Sequence, residues 1–391
     1  MYIQRLIEAD IIKSLDHYPV TALIGPRQSG KSTLVKQLLQ SHPTAITLDL
    51  ERPSDLSKLD DAEWFFENTK GTLIFLDEIQ RKSELFPLIR SLVDDWGGNG
   101  HFIISGSATP ELLRQSSESL AGRIKYHTLM PFIWQEINQH CKLEDYLVSG
   151  GFPRSILSKH TEQSMDWRQS FIQTYLERDL SFWSGFSTTT MLRLWQMLAH
   201  TNGQSINYSR LASALGVSNV TVKNYIDLLE STFMVKTLVP KRANVGKRLV
   251  KAQKVYLTDT GIINALLHLP DFNTLTGHPV FGSLWESLVI TQLMAHFPLA
   301  LLSYYRTSNG SEIDVVVEVG GKQFSIECKN SLSPTLTKGN HIAFHDLDSN
   351  KNMVVAPVSK GWPLSSEITV VSLEEMLAEI QLTTGQNPKT T

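Results

Sequence analysis

The chain has 391 residues, 41% hydrophobic and 19% charged, with a formal net charge of −3. This length predicts two to four domains, with composition enough for real cores. The charge excludes a globally basic nucleic-acid binder, and two cysteines, Cys141 and Cys328, exclude a disulfide framework and suit a reducing cytoplasm. The opening MYIQRLIEADIIKSLD reads as an amphipathic helix carrying acids rather than as a signal peptide, and no apolar run is long enough to span a bilayer. A cytoplasmic protein without a membrane partner is expected.

Val20 to Thr33 reads VTALIGPRQSGKST and fits G-x-x-x-x-G-K-[ST] at every fixed position. An apolar strand, Val20 to Ile24, delivers the chain to a loop of Gly25, Pro26, Arg27, Gln28, Ser29 and Gly30. The glycines let backbone N–H groups turn inward around phosphate oxygens. Lys31 then reaches the β- and γ-phosphates of ATP, Ser32 offers a hydroxyl to Mg²⁺, and Thr33 continues a helix whose positive end faces the same anion. The next strands are Ala45 to Leu50 and Leu73 to Leu76. The second runs into Asp77-Glu78, where Asp77 is expected to hold Mg²⁺ through water and Glu78 to polarise the attacking water. A strand from His101 to Ser105 follows. Either Ser105 or Ser107 at its tip can sense the γ-phosphate, or simply cap the turn. Arg123 either neutralises transition-state charge, in cis or across the interface of a homo-oligomer, or is a surface arginine. Alternating strands and helices imply an α/β fold, a parallel sheet with helices on both faces.

The middle reads as helical, with Gly150-Gly151 and Pro153 making a rigid turn and a helix from Met165 to Leu180. Arg154 and Arg178 there either reach nucleotide or a neighbouring subunit or, the expected reading, form salt bridges within the helices. From Ser205 to Leu229 the pattern is helix, glycine turn at Gly216, helix, with Ser218 as N-cap of the second. Val235 to Thr258 then carries Lys236, Lys241, Arg242, Lys247, Arg248, Lys251 and Lys254 and no acid. Helix-turn-helix plus basic hairpin is a winged-helix outline. Its second helix, presenting Asn219, Thr221, Lys223 and Asn224, would meet DNA, with the hairpin on phosphates. The other reading is a winged helix for protein contacts.

The last part has a helix from Gly282 to His296 carrying Glu286, then strands at Leu301 to Arg306, Glu312 to Val319 and Gln323 to Cys328. Asp314 lies within the second strand, and Glu327-Cys328-Lys329 closes the third, giving the pattern D…(D/E)-x-K. Alternation puts Glu327 and Lys329 on one face. Asp314 and Glu327 are expected to hold Mg²⁺, with Glu286 completing the shell and Lys329 orienting or deprotonating water. The competing reading is a buried ion-pair network. Arg306 either touches phosphate or pairs with Glu312.

GPRQSGKST, LIFLDEIQ, FIISGS, LAGRI and LMPFIWQEI, followed by GGFP and YLERDL, resemble a family of prokaryotic AAA+-type ATPases. The resemblance covers nearly the whole chain. It implies an ATPase paired with a nuclease-like C-terminal domain, and residues 255–380 resemble the restriction-endonuclease-type superfamily. The expected organisation is an ATPase domain over 1–135, a helical subdomain over 136–200, a winged helix over 201–254, the nuclease-like domain over 255–380 and a disordered tail over 381–391. Two functions fit. One is an ATP-hydrolysing machine acting on DNA. The other is a nucleotide-controlled signalling or scaffold ATPase whose nuclease-like domain binds without cleaving.

Overall fold

The structure is a computed structural model that describes residues 2–107, 116, 118–179, 187–242 and 249–385. It forms two compact units, one of residues 2–132 with 231–233, the other of 133–230 with 234–385.

In the first unit, the described strands are β1 (Val20–Gly25), β2 (Ile46–Asp49), β3 (Ile74–Asp77), β4 (Phe102–Ser107) and β5 (Ile124–Thr128). They pair in parallel in the order β2-β3-β4-β1-β5. Side chains alternate between the two faces of a strand. Val20, Ala22, Ile74, Leu76, Phe102 and Ile104 accordingly pack with Phe66 and Phe86, from the helices Ala62–Asn68 and Leu85–Trp96. Leu23, Phe75 and Ile103 point the other way, onto Ile11 and Leu34 from the helices Glu8–His17 and Lys31–Leu38. Helices thus cover both faces, as the run of apolar strands requires.

In the second unit, the described strands are β6 (Val235–Pro240), β7 (Lys254–Leu257), β8 (Leu301–Arg306), β9 (Glu312–Val319), β10 (Lys322–Cys328), β11 (Lys351–Val355), β12 (Trp362–Pro363) and β13 (Ile368–Val371). They make one mixed sheet in the order β12-β13-β11-β10-β9-β8-β6-β7. The antiparallel hairpin β6–β7 is therefore no separate module: β6 pairs in parallel with β8 at Val239 and Pro240. The boundary expected after residue 254 falls at the start of β7, because pairing with β8 satisfies backbone groups that a free hairpin would leave open. The helix pair expected before the hairpin is present as Tyr208–Leu215 and Asn219–Ser231. Gly216, at φ 68°, ends the first, and the Ser218 hydroxyl accepts the Thr221 N–H at 3.0 Å.

The Gly150-Gly151 turn has a partner far along the chain. Asp259 is buried and accepts the Gly151 N–H at 2.8 Å and the Ile262 N–H at 2.9 Å. Gly150, at φ 72°, lies against that carboxylate, and a Cβ there would collide with it. The fully buried Arg168 donates to the carbonyls of Val148 at 2.5 Å and Gly261 at 3.1 Å. Burial pulls the Arg168 guanidinium down to about 10, partly offset by the charge of Asp259. The glycines thus serve close packing against Asp259.

The helix expected from Met165 is Thr161–Thr174, continued by a wider turn over Tyr175–Asp179; the Arg178 side chain and Leu180 lie outside the described residues. The last helix, Leu373–Thr384, starts in a reciprocal cap between Ser372 and Glu375 and runs past the expected limit of order at 380. The rest of the expected tail, 386–391, lies outside the described residues.

Candidate nucleotide and carboxylate sites

β1 ends at Gly25 and the helix begins at Lys31, so the intervening loop sits at the C-terminal edge of the parallel sheet. Gly25 has φ 150°, and a Cβ there would run into the Leu129 carbonyl. Only glycine lets the loop pass this close to the end of β5. Gln28 adopts φ 61° and Gly30 φ 100°, the turns that fold the loop back on the helix N-terminus. The Lys31 ammonium, 6% exposed, donates to the carbonyls of Gly25 at 3.0 Å and Pro26 at 2.9 Å, inside the loop. Ser29 is buried, while Ser32 is half-buried and Thr33 exposed at the helix start.

At this loop, sequence reasoning missed one residue. Arg5, 4% exposed, donates to the Ser29 carbonyl at 3.0 Å and the Met130 carbonyl at 2.7 Å and lies over the Phe132 ring at 4.6 Å. It ties the N-terminal segment to the loop. A charged residue within an apolar stretch, Ile3 to Ile7, was the available signal.

Asp77 ends β3 at the same sheet edge, 7% exposed, opposite Asp49 of β2. The Ser105 hydroxyl on the neighbouring β4 donates to the Asp77 carboxylate. Of the two candidate serines, Ser105 is therefore the one placed on the acidic group. Ser107 ends β4 opposite Gly25, and its side chain lies outside the described residues. Glu78 follows in a left-handed conformation, φ 59° and ψ 46°, and accepts a hydrogen bond from the Gln80 amide. A non-glycine residue in that region is uncommon and marks a sharp turn of the chain after β3.

Arg123 is not brought to this edge. It precedes β5, and its carbonyl accepts the N–H of Val20, the first residue of β1. It thus lies at the opposite end of the parallel strands, some 16 Å from the loop at about 3.3 Å per residue. Its guanidinium grips Asp94 with bonds of 2.5 and 2.9 Å. The cis role is overturned by this placement.

In the second unit, Asp314 (β9), Glu327 and Lys329 (β10 and the residue after it) and Glu286 (helix Phe281–His296) lie in one neighbourhood, each engaged by a partner, with further charged and polar members beside them. Lys329 donates to Glu327 Oε1 at 2.7 Å, and the Cys328 N–H to Asp314 Oδ2 at 3.0 Å. Tyr256 of β7 donates to Glu286 Oε2 at 2.7 Å. Lys254, also of β7, lies 2.7 Å from Glu312 Oε1 and 3.7 Å from Asp314 Oδ1. Arg306 pairs with Glu312 at 3.4 Å, the ion-pair alternative for that residue. Burial, reinforced by the charge of Asp314, pushes Glu286 and Glu327 each up to about 8. Burial raises Asp314 too, against the pull of Lys254.

Among the described residues no three histidine, cysteine or acidic side chains are placed to hold a metal ion together. The expected set of Glu286, Asp314 and Glu327 is adjacent in charge but does not converge, since each carboxylate is turned toward its own donor. One observation still fits a cation: Glu327 Oε2 is buried with no hydrogen-bond partner among the described residues. A cation beside these buried carboxylates would favour their ionised forms and offset the cost of their burial.

Of the basic run, Lys236 pairs with Glu230 at 3.0 Å and Lys241 with Glu318 at 2.6 Å, and Lys254 is buried as described. Arg242 and Lys251 are exposed; Lys247 and Arg248 lie outside the described residues. Three of the seven basic residues expected to face phosphates are thus neutralised by acids from other elements.

The five-stranded parallel sheet, the phosphate loop and the acidic strand end define a P-loop ATPase of the AAA type, and residues 17–138 match an AAA domain. Residues 141–273 match a domain of unknown function, DUF8612, and residues 281–376 another, DUF4143. An uncharacterized protein of Mycobacterium tuberculosis is 36% identical over 375 residues, covering 96% of this chain and 84% of that protein. The chain belongs to the same family as that protein. An uncharacterized protein of Methanocaldococcus jannaschii is 22% identical over 90% of this chain and 88% of its own length. Among solved structures, the Walker-type ATPase of Pyrococcus abyssi aligns over 68% of this chain and 96% of its own at 16% identity, with a TM-score of 0.46. No described helix is long and apolar enough to cross a membrane.

Proposed function

We propose that the chain binds ATP with Mg²⁺, hydrolyses it, and couples this to DNA through the helix Asn219–Ser231 and the β6–β7 hairpin, with a metal-binding nuclease-like site in its C-terminal part. The observation that carries the ATPase reading is the joining of Asp77 to Ser105 at the sheet edge that also holds Lys31. Ser32 and Asp77 would hold the magnesium ion, which supplies charge neutralisation on the phosphates. Lys31 releases two backbone carbonyls to meet phosphate oxygens, and Glu78, aimed by its backbone turn, orients and polarises a water. Gly25, Arg27, Gln28 and Ser29 would supply backbone N–H groups, Pro26 having none.

The DNA reading is supported by Lys223, Asn219 and Asn224 on the exposed side of the helix Asn219–Ser231, with Arg242 and Lys251 on the adjoining hairpin. The nuclease-like reading is supported by Asp314 and Glu327 on neighbouring strands, with Lys329 on Glu327. Asp314 and Glu327 would hold a divalent ion, with Glu286 beside them, and the ion would supply Lewis-acid activation of water. Lys329 would place or take the proton of that water.

The scaffold alternative, in which this domain binds without cleaving, is favoured by the ion pairs that already occupy the carboxylates. The test is purified full-length protein with Mg²⁺, with and without ATP, on single-stranded, duplex and branched DNA, measuring phosphate release and strand cleavage together. ATP turnover stimulated by DNA and metal-dependent cleavage is expected. Turnover with DNA bound but uncut selects the scaffold alternative, and absence of turnover overturns the ATPase reading.

A further inference from the structure

Lys254 stands out in the carboxylate site because it comes from the wrong place. It opens β7, three positions from β9 in the strand order, yet its side chain, 5% exposed, reaches both Glu312 and Asp314 of β9. Its ammonium also lies 5.2 Å from the centroid of the Tyr304 ring. Two carboxylates and one aromatic ring thus surround that ammonium within the protein. It does not reach solvent as a phosphate-binding lysine would.

We propose that Lys254 is a built-in cation that holds Asp314 and competes with a divalent metal ion for it. This rests on the metal-binding reading of the site given above. The argument is one of charge and space. Asp314 Oδ2 already accepts the Cys328 N–H, which leaves Oδ1, the oxygen that faces Lys254, the less engaged one for a metal ion. A positive charge less than 4 Å from that oxygen opposes an incoming divalent cation by about a hundredfold or more in affinity, even at the high effective dielectric of protein sites, about 20. Glu312 sets the competition. It draws the ammonium to 2.7 Å, leaving it at 3.7 Å from Asp314. Across the site, Lys329 holds Glu327 Oε1 at 2.7 Å, while Glu327 Oε2 is buried and accepts from no donor among the described residues, so Lys254 does not reach that second oxygen.

Opposite changes follow from two substitutions. Lys254→Met keeps the apolar stem and removes the charge; Arg306 remains to pair with Glu312. Divalent affinity should rise by at least about tenfold. Glu312→Gln weakens the tether, so the ammonium settles on Asp314 and affinity should fall. Lys254→Arg keeps the charge and should leave affinity close to wild type. The measurement is calorimetric titration of Mn²⁺ into the full-length, EDTA-treated chain without nucleotide, in an Asp77→Asn background that removes the nucleotide-site carboxylate. Folding of each variant is checked by near-ultraviolet circular dichroism. If Lys254→Met fails to fold, Glu312→Gln and Lys254→Arg decide: a fall with the first and little change with the second support the proposal, and any other pattern overturns it. Wild-type binding with equal or weaker affinity in Lys254→Met overturns this proposal and leaves the metal reading standing. Absence of Mn²⁺ binding in every chain, Lys254→Met included, overturns both.

Discussion

The hydroxyl of Ser105 donates to the carboxylate of Asp77 across the pairing of β4 with β3, and both groups are buried. A buried carboxylate that loses a donor is held less firmly and costs more to keep charged. Ser105→Ala should therefore lower kcat for ATP hydrolysis by about tenfold or more while changing nucleotide affinity little. Steady-state phosphate release with nucleotide titration checks this, and a change confined to KM would count against it.

Lys31 and Glu78 separate binding from turnover. Lys31→Ala removes the cation that the loop carbonyls of Gly25 and Pro26 now hold, so ATP affinity should fall by two orders of magnitude, roughly the 3 kcal/mol of a charge-assisted contact. Glu78→Gln should keep affinity and abolish hydrolysis. Fluorescent-nucleotide binding in parallel with phosphate release distinguishes them.

Arg123 sits at the far end of the strands from the phosphate loop and is paired with Asp94. Arg123→Ala should leave single-turnover hydrolysis unchanged at protein concentrations too low for self-association. A loss of turnover that appears only as concentration rises would mark a role across a subunit interface, and a loss at every concentration would contradict the placement.

The carboxylate site predicts a pH dependence with a definite sign. Glu286 and Glu327 titrate near 8 in the folded chain, against about 4.3 in an unfolded one. Between those values the folded state holds protons that the unfolded state has lost. In EDTA, stability should fall as pH rises from about 4.3 to about 8 and level off above. Thermal unfolding from pH 5 to 9 should show this slope, a shallower one for Glu286→Gln or Glu327→Gln, and recovery at pH 8.5 on adding millimolar Mn²⁺. A flat or rising profile would reverse the sign.

The hairpin's lysines should divide into two groups. Arg242 and Lys251 are exposed, whereas Lys236 and Lys241 are engaged by Glu230 and Glu318. Alanine at Arg242 or Lys251 should weaken DNA binding and reduce its salt slope by about one each, with smaller effects at Lys236 and Lys241. Fluorescence anisotropy across a salt series reads both quantities. Equal effects at all four would mean that the ion pairs open on binding.

The phosphate loop and the three C-terminal strands around Asp314 were legible because their signals are local. Gly25 to Ser32 form one motif, and Leu301 to Arg306 and Glu312 to Val319 coincide with observed strands. The misreadings have a common physical cause: the partner lies elsewhere in the chain. Lys254 looks like a surface cation until Glu312 and Asp314 are brought to it, and Gly150 looks like a turn until Asp259 presses on it. Arg123 follows the sensor strand in sequence, but a parallel sheet separates a strand's two ends by its whole length. Arg5 belongs to no motif at all; only the path of the N-terminal segment past Ser29 gives it a task.

The pairing of β6 with β8 bears on how this protein can be taken apart. Expressing a C-terminal fragment from residue 255 would strip Lys254 from the carboxylates and leave β8 with an open edge where Val239 and Pro240 had been. Such an edge recruits other chains, and the fragment would tend to aggregate or swap strands. A fragment beginning ahead of Val235 keeps the hairpin as its own edge guard, so the place to cut this chain lies upstream of the turn that its composition advertises.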